Sequence, residues 1–164
     1  MGKRRVLLAG VAVVLGGTAI GGVAIANGSQ DRLRADLAGT NELPATDPDA
    51  RGRARVELNI EDGEVCFSVR FDATGTPNRG HIHIGDAATN GGIVVPLFEL
   101  AGPPAIPAPV PFDPRHDALE EGRLEGCVPA SPDLLRQIAA NPGGYYVNLH
   151  NARFPGGAAR GQLE

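Results

Sequence analysis

The chain contains no tryptophan, one methionine and one lysine, and aromatic side chains make up only 4% of it. Its core must therefore be assembled from Val, Leu, Ile and Ala rather than from large rings. Glycine and proline are plentiful instead, at 23 and 14 of 164 residues, about twice their usual share. Helix interiors tolerate neither, which excludes a helical bundle. Positive charge is also scarce. A formal net charge of −4 excludes a polyanion binder whose affinity comes from counterion release, so no nucleic-acid partner is expected. The length suits one domain and is too short for two. Neither G-x-S-x-G nor a phosphate-cradling glycine loop occurs. Adjacent acids such as Glu120-Glu121 read as a solvated face.

The one long apolar run is at the start. Lys3-Arg4-Arg5 precedes twenty-one uncharged residues from Val6 to Ala26, ending in Ala24-Ile25-Ala26 and the polar Asn27-Gly28-Ser29-Gln30. A basic stretch, an apolar stretch and small residues at −3 and −1 describe a secretory signal peptide over 1–26. The run is also long enough to stay in a bilayer as an uncleaved anchor at residues 6–26. Both readings place the rest of the chain outside the membrane, and any membrane contact would come through this segment alone. Without residues 1–26 the chain keeps twelve basic against nineteen acidic side chains, a formal −7. A short linker is expected over 27–32 and a single domain over 33–164.

Two cysteines, Cys66 and Cys127, remain in the exported part. An even count in an oxidising compartment favours a disulfide between them. Closing so long a loop removes unfolded-chain entropy worth roughly 4 kcal/mol in the loop model. The alternative is two buried thiols that never meet. A zinc site is disfavoured, because neither cysteine has a partner at metal-ligand spacing.

Most of the exported part alternates with the period of a half-buried strand. Residues 53–60 and 65–72 flank Glu61-Asp62-Gly63, a turn signal, and predict a hairpin with Cys66 on the face opposite Phe67 and Phe71. Further strands are expected at 33–39, 80–84, 93–100, 122–128, 145–150 and 158–163. Residues 102–114 hold six prolines and read as a surface loop. One helix is expected, with Ser131 as N-cap, Pro132 in its first turn, Leu134, Leu135 and Ile138 on one face, and Gly143 as the stop. The fold class is all-β: an antiparallel, Greek-key-like sandwich or barrel with one short helix.

Three of the four histidines lie on strands. In Arg79-Gly80-His81-Ile82-His83-Ile84-Gly85 the i, i+2 spacing turns both imidazoles to one face and the isoleucines to the other. In Tyr145-Tyr146-Val147-Asn148-Leu149-His150, residues Tyr146, Asn148 and His150 share a face opposite apolar Val147 and Leu149. If the two strands are neighbours, His81, His83 and His150 converge, on a face away from the most apolar part of the core or at its rim. Neutral imidazoles suit copper or zinc, with copper the tighter. Asn148, Arg160 or a backbone carbonyl would then support the ligands. The competing reading is a buried hydrogen-bond network of the same histidines with Asn148 and Arg160. His116 comes after the proline-rich loop and reads as a surface residue.

The order Leu37-x-Gly39, Asn41-Glu42-Leu43-Pro44, His81-Ile82-His83-Ile84-Gly85, Asn90-Gly91, Tyr146-Val147-Asn148-Leu149-His150 and Arg160-Gly161-Gln162-Leu163 resembles the chordin, or CHRD, domain. The resemblance spans about residues 33–163. It departs from the family at Glu-Leu-Pro-Ala, where Glu-Val-Pro-Pro is usual, and in a lengthened proline-rich loop. The resemblance implies a secreted or extracellular binding module, its partner an extracellular protein or a cell-surface ligand. It attaches no catalytic activity, so no catalytic residue is carried over. H-x-H-x-G is also similar to the copper-binding strand of Cu/Zn superoxide dismutases, themselves antiparallel β-sandwiches. The rest of that enzyme's metal pattern is missing, and an analogy of fold does not transfer a redox role.

Overall fold

A computed structural model describes residues 30–72, 75–100 and 122–164. The N-terminal apolar run, the proline-rich stretch, His116 and Glu120-Glu121 lie outside the described residues. Among the described residues, no helix is long and apolar enough to cross a membrane.

Among the described residues, eight strands form one antiparallel sheet. They are β1 (Gln30–Ala38), β2 (Arg51–Asn59), β3 (Glu64–Asp72), β4 (Arg79–Ile84), β5 (Ile93–Glu99), β6 (Arg123–Pro129), β7 (Tyr145–His150) and β8 (Ala159–Gln162). Their spatial order is β5-β4-β7-β8-β1-β2-β3-β6, and the two end strands approach one another, so the sheet curls into a nearly closed barrel rather than splitting into a sandwich. Phe67 of β3 and Phe98 of β5 stack with ring centroids 6.0 Å apart. β1 begins at Gln30, inside the stretch expected to be linker.

Period-2 alternation accounts for the interior. Ala54, Val56 and Leu58 of β2 and Val65, Phe67 and Val69 of β3 point inward and are buried, while their neighbours face outward. The hairpin turn is made at Gly63, whose φ of +65° suits glycine best. Cys66 and Cys127 stand directly opposite each other on β3 and β6 and are bonded at 2.11 Å. The bridge lies outside the core, on the face away from Phe67.

The one α-helix among the described residues, α1 (Pro132–Ala140), starts where expected: the Ser131 hydroxyl accepts from the Leu134 N–H at 3.2 Å. It adds Leu135 and Ile138 to the core. It ends at Ala140, before Gly143, because Pro142 cannot continue it and opens a separate 3-10 turn over Pro142–Gly144.

Strand β7 breaks the half-buried pattern. All six of its residues are buried, so it is covered on both sides. Val147 and Leu149 face the apolar interior. Tyr146, Asn148 and His150 face outward into a second, polar layer formed by the loops around residues 39–47, 85–92 and 151–157. The histidine face is therefore covered by chain and is not an exposed rim.

Candidate metal centre

Strand β4 lies between β5 and β7, and the β4–β7 register sets Arg79 opposite His150, His81 opposite Asn148 and His83 opposite Tyr146. His150 is thus the diagonal neighbour of His81 on the same face, within reach of a ring. The three histidines do come together: one ring nitrogen from each lies within 4.8 Å of the others. They are 7%, 8% and 6% exposed for His81, His83 and His150.

Backbone carbonyls orient two of the rings. His83 Nδ1 lies 2.9 Å from the Gly91 carbonyl, and His150 Nδ1 lies 3.1 Å from the Pro155 carbonyl. A carbonyl only accepts, so both rings carry their proton on Nδ1 and leave a lone pair on Nε2. The His83 Nε2 is buried and has no hydrogen-bond partner. The His150 Nε2 lies 3.1 Å from His81 Nδ1. That contact is a hydrogen bond when His81 carries its proton on Nδ1. It becomes a pair of ligand nitrogens when the proton moves to Nε2. Two nitrogens on one tetrahedral ion at the usual bond length stand about 3.4 Å apart, close to the separation here.

Close packing of the covering loops sets this geometry. A Cβ at Gly91 would collide with the Ile84 carbonyl, so only glycine lets the loop come near enough for its carbonyl to meet His83. The Gly91 N–H donates to the Tyr146 hydroxyl at 3.2 Å, and His83 stacks on the Tyr146 ring at 4.9 Å and 13°. The Arg160 guanidinium lies 4.8 Å above that ring.

Arg160 is 1% exposed and is held by oxygen acceptors. Its Nε donates to the Asn41 carbonyl at 2.6 Å, one terminal nitrogen to the Thr89 carbonyl and Asn90 Oδ1, and the other to the Ala87 carbonyl. Neither Asn148 nor Arg160 hydrogen-bonds a histidine among the described residues. Of the supports expected, the backbone carbonyl is the one that reaches the rings, at Gly91 and Pro155. The Asn148 Oδ1 is itself buried without a partner.

Burial keeps the rings neutral. Desolvation, then the neighbouring His150, His83 and Arg79, pushes His81 down to about 3. Desolvation and Arg79 push His150 down to about 4, against the opposing bond to Pro155. His83 is lowered mainly by desolvation, with Arg160 acting in the same direction. A neutral imidazole is the form that binds a metal.

Two further residues were not singled out by the sequence. Arg79 donates to the Pro155 carbonyl at 3.2 Å, the same oxygen that fixes His150. Glu42 is 5% exposed with its Oε1 unpaired. Desolvation raises its pKa to about 7, although Arg160 pulls the other way.

The family model of the CHRD domain matches residues 33–163, nearly all of the described chain. The chain belongs to the CHRD domain family. No curated protein and no solved structure matches it. Within this CHRD domain, the family stretches around His81, His83, Tyr146, His150 and Arg160 all meet in the buried polar layer outside the barrel.

Proposed function

We propose that this CHRD domain is an exported binding module whose ligand is a metal ion, copper or zinc, held by His81, His83 and His150. Membership of the family supports the binding-module reading. The observation that carries the metal is the buried lone pair of His83 Nε2. Its ring is fixed through Nδ1, it has no hydrogen-bond partner, and it lies in a cluster whose other rings are close enough to share one ion. A buried polar atom left unpaired costs about 1–3 kcal/mol, and coordination would remove that cost. Carbonyl acceptors behind His83 and His150 are the outer-shell support that metal-ligating histidines use.

Metal analysis of the purified, tag-free protein, followed by titration of the metal-free protein with copper and zinc, tests this. About one equivalent should bind, and His83→Ala should lose it. Equal, weak binding by both proteins would leave only a hydrogen-bonded cluster. Export is checked separately: mature protein should begin at Asn27 and appear in the medium. Intact Met1 or Gly2 in the membrane fraction would identify residues 6–26 as an anchor, and intact protein in the cytoplasm would refute both readings. Exported, the module would meet an extracellular protein or a cell-surface ligand as its partner.

A further inference from the structure

We infer that the three-histidine centre selects cuprous copper, a soft monovalent cation, and that the Arg79 guanidinium beside it sets it against divalent ions. This rests on the metal reading above and names the ion that reading leaves open. The first observation is the donor set. Three neutral imidazoles bring no negative charge, and no carboxylate or thiolate joins their cluster among the described residues. The second is what stands around them. Arg79 is directly opposite His150 on the neighbouring strand and shares the Pro155 carbonyl with it. Arg160 lies over the same tyrosine ring that His83 stacks on. Arg160 has the Glu42 and Asp86 carboxylates within its field, whereas Arg79 forms no ion pair among the described residues, although Glu99 stands across from it on β5.

A metal ion in the cluster meets the same repulsion as a proton, in proportion to its charge. A dication is opposed twice as strongly as a monocation at the same point, and nothing in the donor set compensates it. Cuprous copper has a filled d shell and accepts three ligands without requiring a fourth. Zinc at a three-ligand site keeps a water in its fourth position, which these covered rings disfavour.

The doubled repulsion gives the experiment its signature. The metal-free protein is titrated anaerobically with copper(I) supplied as its bicinchoninate complex, and separately with zinc(II) and copper(II) against chromophoric chelators. One equivalent of copper(I) should bind more tightly than either divalent ion. Arg79→Gln should raise zinc affinity by on the order of tenfold but copper(I) affinity by only about threefold, the square root. Arg79→Lys keeps the charge and should leave both near their starting values. Zinc binding as tightly as copper(I), or equal gains for both ions in Arg79→Gln, would overturn the inference while leaving a metal site standing. If no ion binds at one equivalent, the metal reading falls with it. The wild-type ranking needs no variant, so it stands as a test even if Arg79→Gln does not fold.

Discussion

Lowering the pH from 7 to 5 sets the buried histidines against Glu42, which titrates in the opposite sense. His81 and His150 have pKa values of about 3 and about 4 in the fold, against 6.5 when exposed. Between those values the unfolded chain binds more protons than the native one. Their contribution is therefore complete above 6.5 and is lost as the pH falls. From pH 7 to pH 5 that loss is about 2 kcal/mol for each, and His83 adds to it in the same direction. Glu42 is raised from 4.5 to about 7, so the native state holds its proton more tightly. Its contribution is complete below 4.5 and lost as the pH rises through 7. Over the descent to pH 5 it therefore returns about 2 kcal/mol. The metal-free protein should lose about 2 kcal/mol plus the share of His83. Glu42→Gln, which keeps the shape but not the titration, should lose about 4 kcal/mol plus that share. Urea unfolding at pH 7, 6 and 5, at constant ionic strength and with a chelator present, measures both slopes. Parallel pH dependences for the two proteins, or a wild type that grows more stable toward pH 5, would refute this balance.

The Cys66–Cys127 bridge should leave no alkylatable thiol after denaturation without reductant, and reduction should lower stability by about 2–5 kcal/mol in thermal or urea unfolding. Arg160→Met should cost at least about 3 kcal/mol, because the Asn41, Thr89 and Ala87 carbonyls would lose a charged donor inside the fold. Urea unfolding reads that loss, and a change below about 1 kcal/mol would mean that these oxygens find water instead.

The parity of strands made much of this legible in the sequence. Every second residue of 53–60 and 65–72 faces the core, and the same arithmetic sets His81 with His83 and Tyr146 with His150. Strand neighbourhood is not a local property, and only the β4–β7 pairing brings His150 to the other two. The acceptors that fix the rings, Gly91 and Pro155, act through their carbonyls, which every residue carries, so no residue type marks them. Arg160 was readable as a residue of the site, but its length carries its charge past the histidines to the loop carbonyls. The burial of β7 on both faces also escaped the pattern, since Tyr, Asn and His on alternate positions resemble a solvated face until loops cover them.

Strand β8 is four residues long, yet the hydrogen-bonded ladder from β7 to β1 passes through it. On one side of it lie β5, β4 and β7 with all three histidines. On the other lie β1, β2, β3 and β6 with the disulfide. Arg160, on β8 itself, ties the two sides to the loops above them. Residues 159–162 also emerge late in synthesis, after every other strand. A chain that has not yet seated them can already have closed its disulfide between β3 and β6, but the loops over its histidines still lack the Arg160 that ties them. On the metal reading proposed above, capture of the ion would then report completed folding.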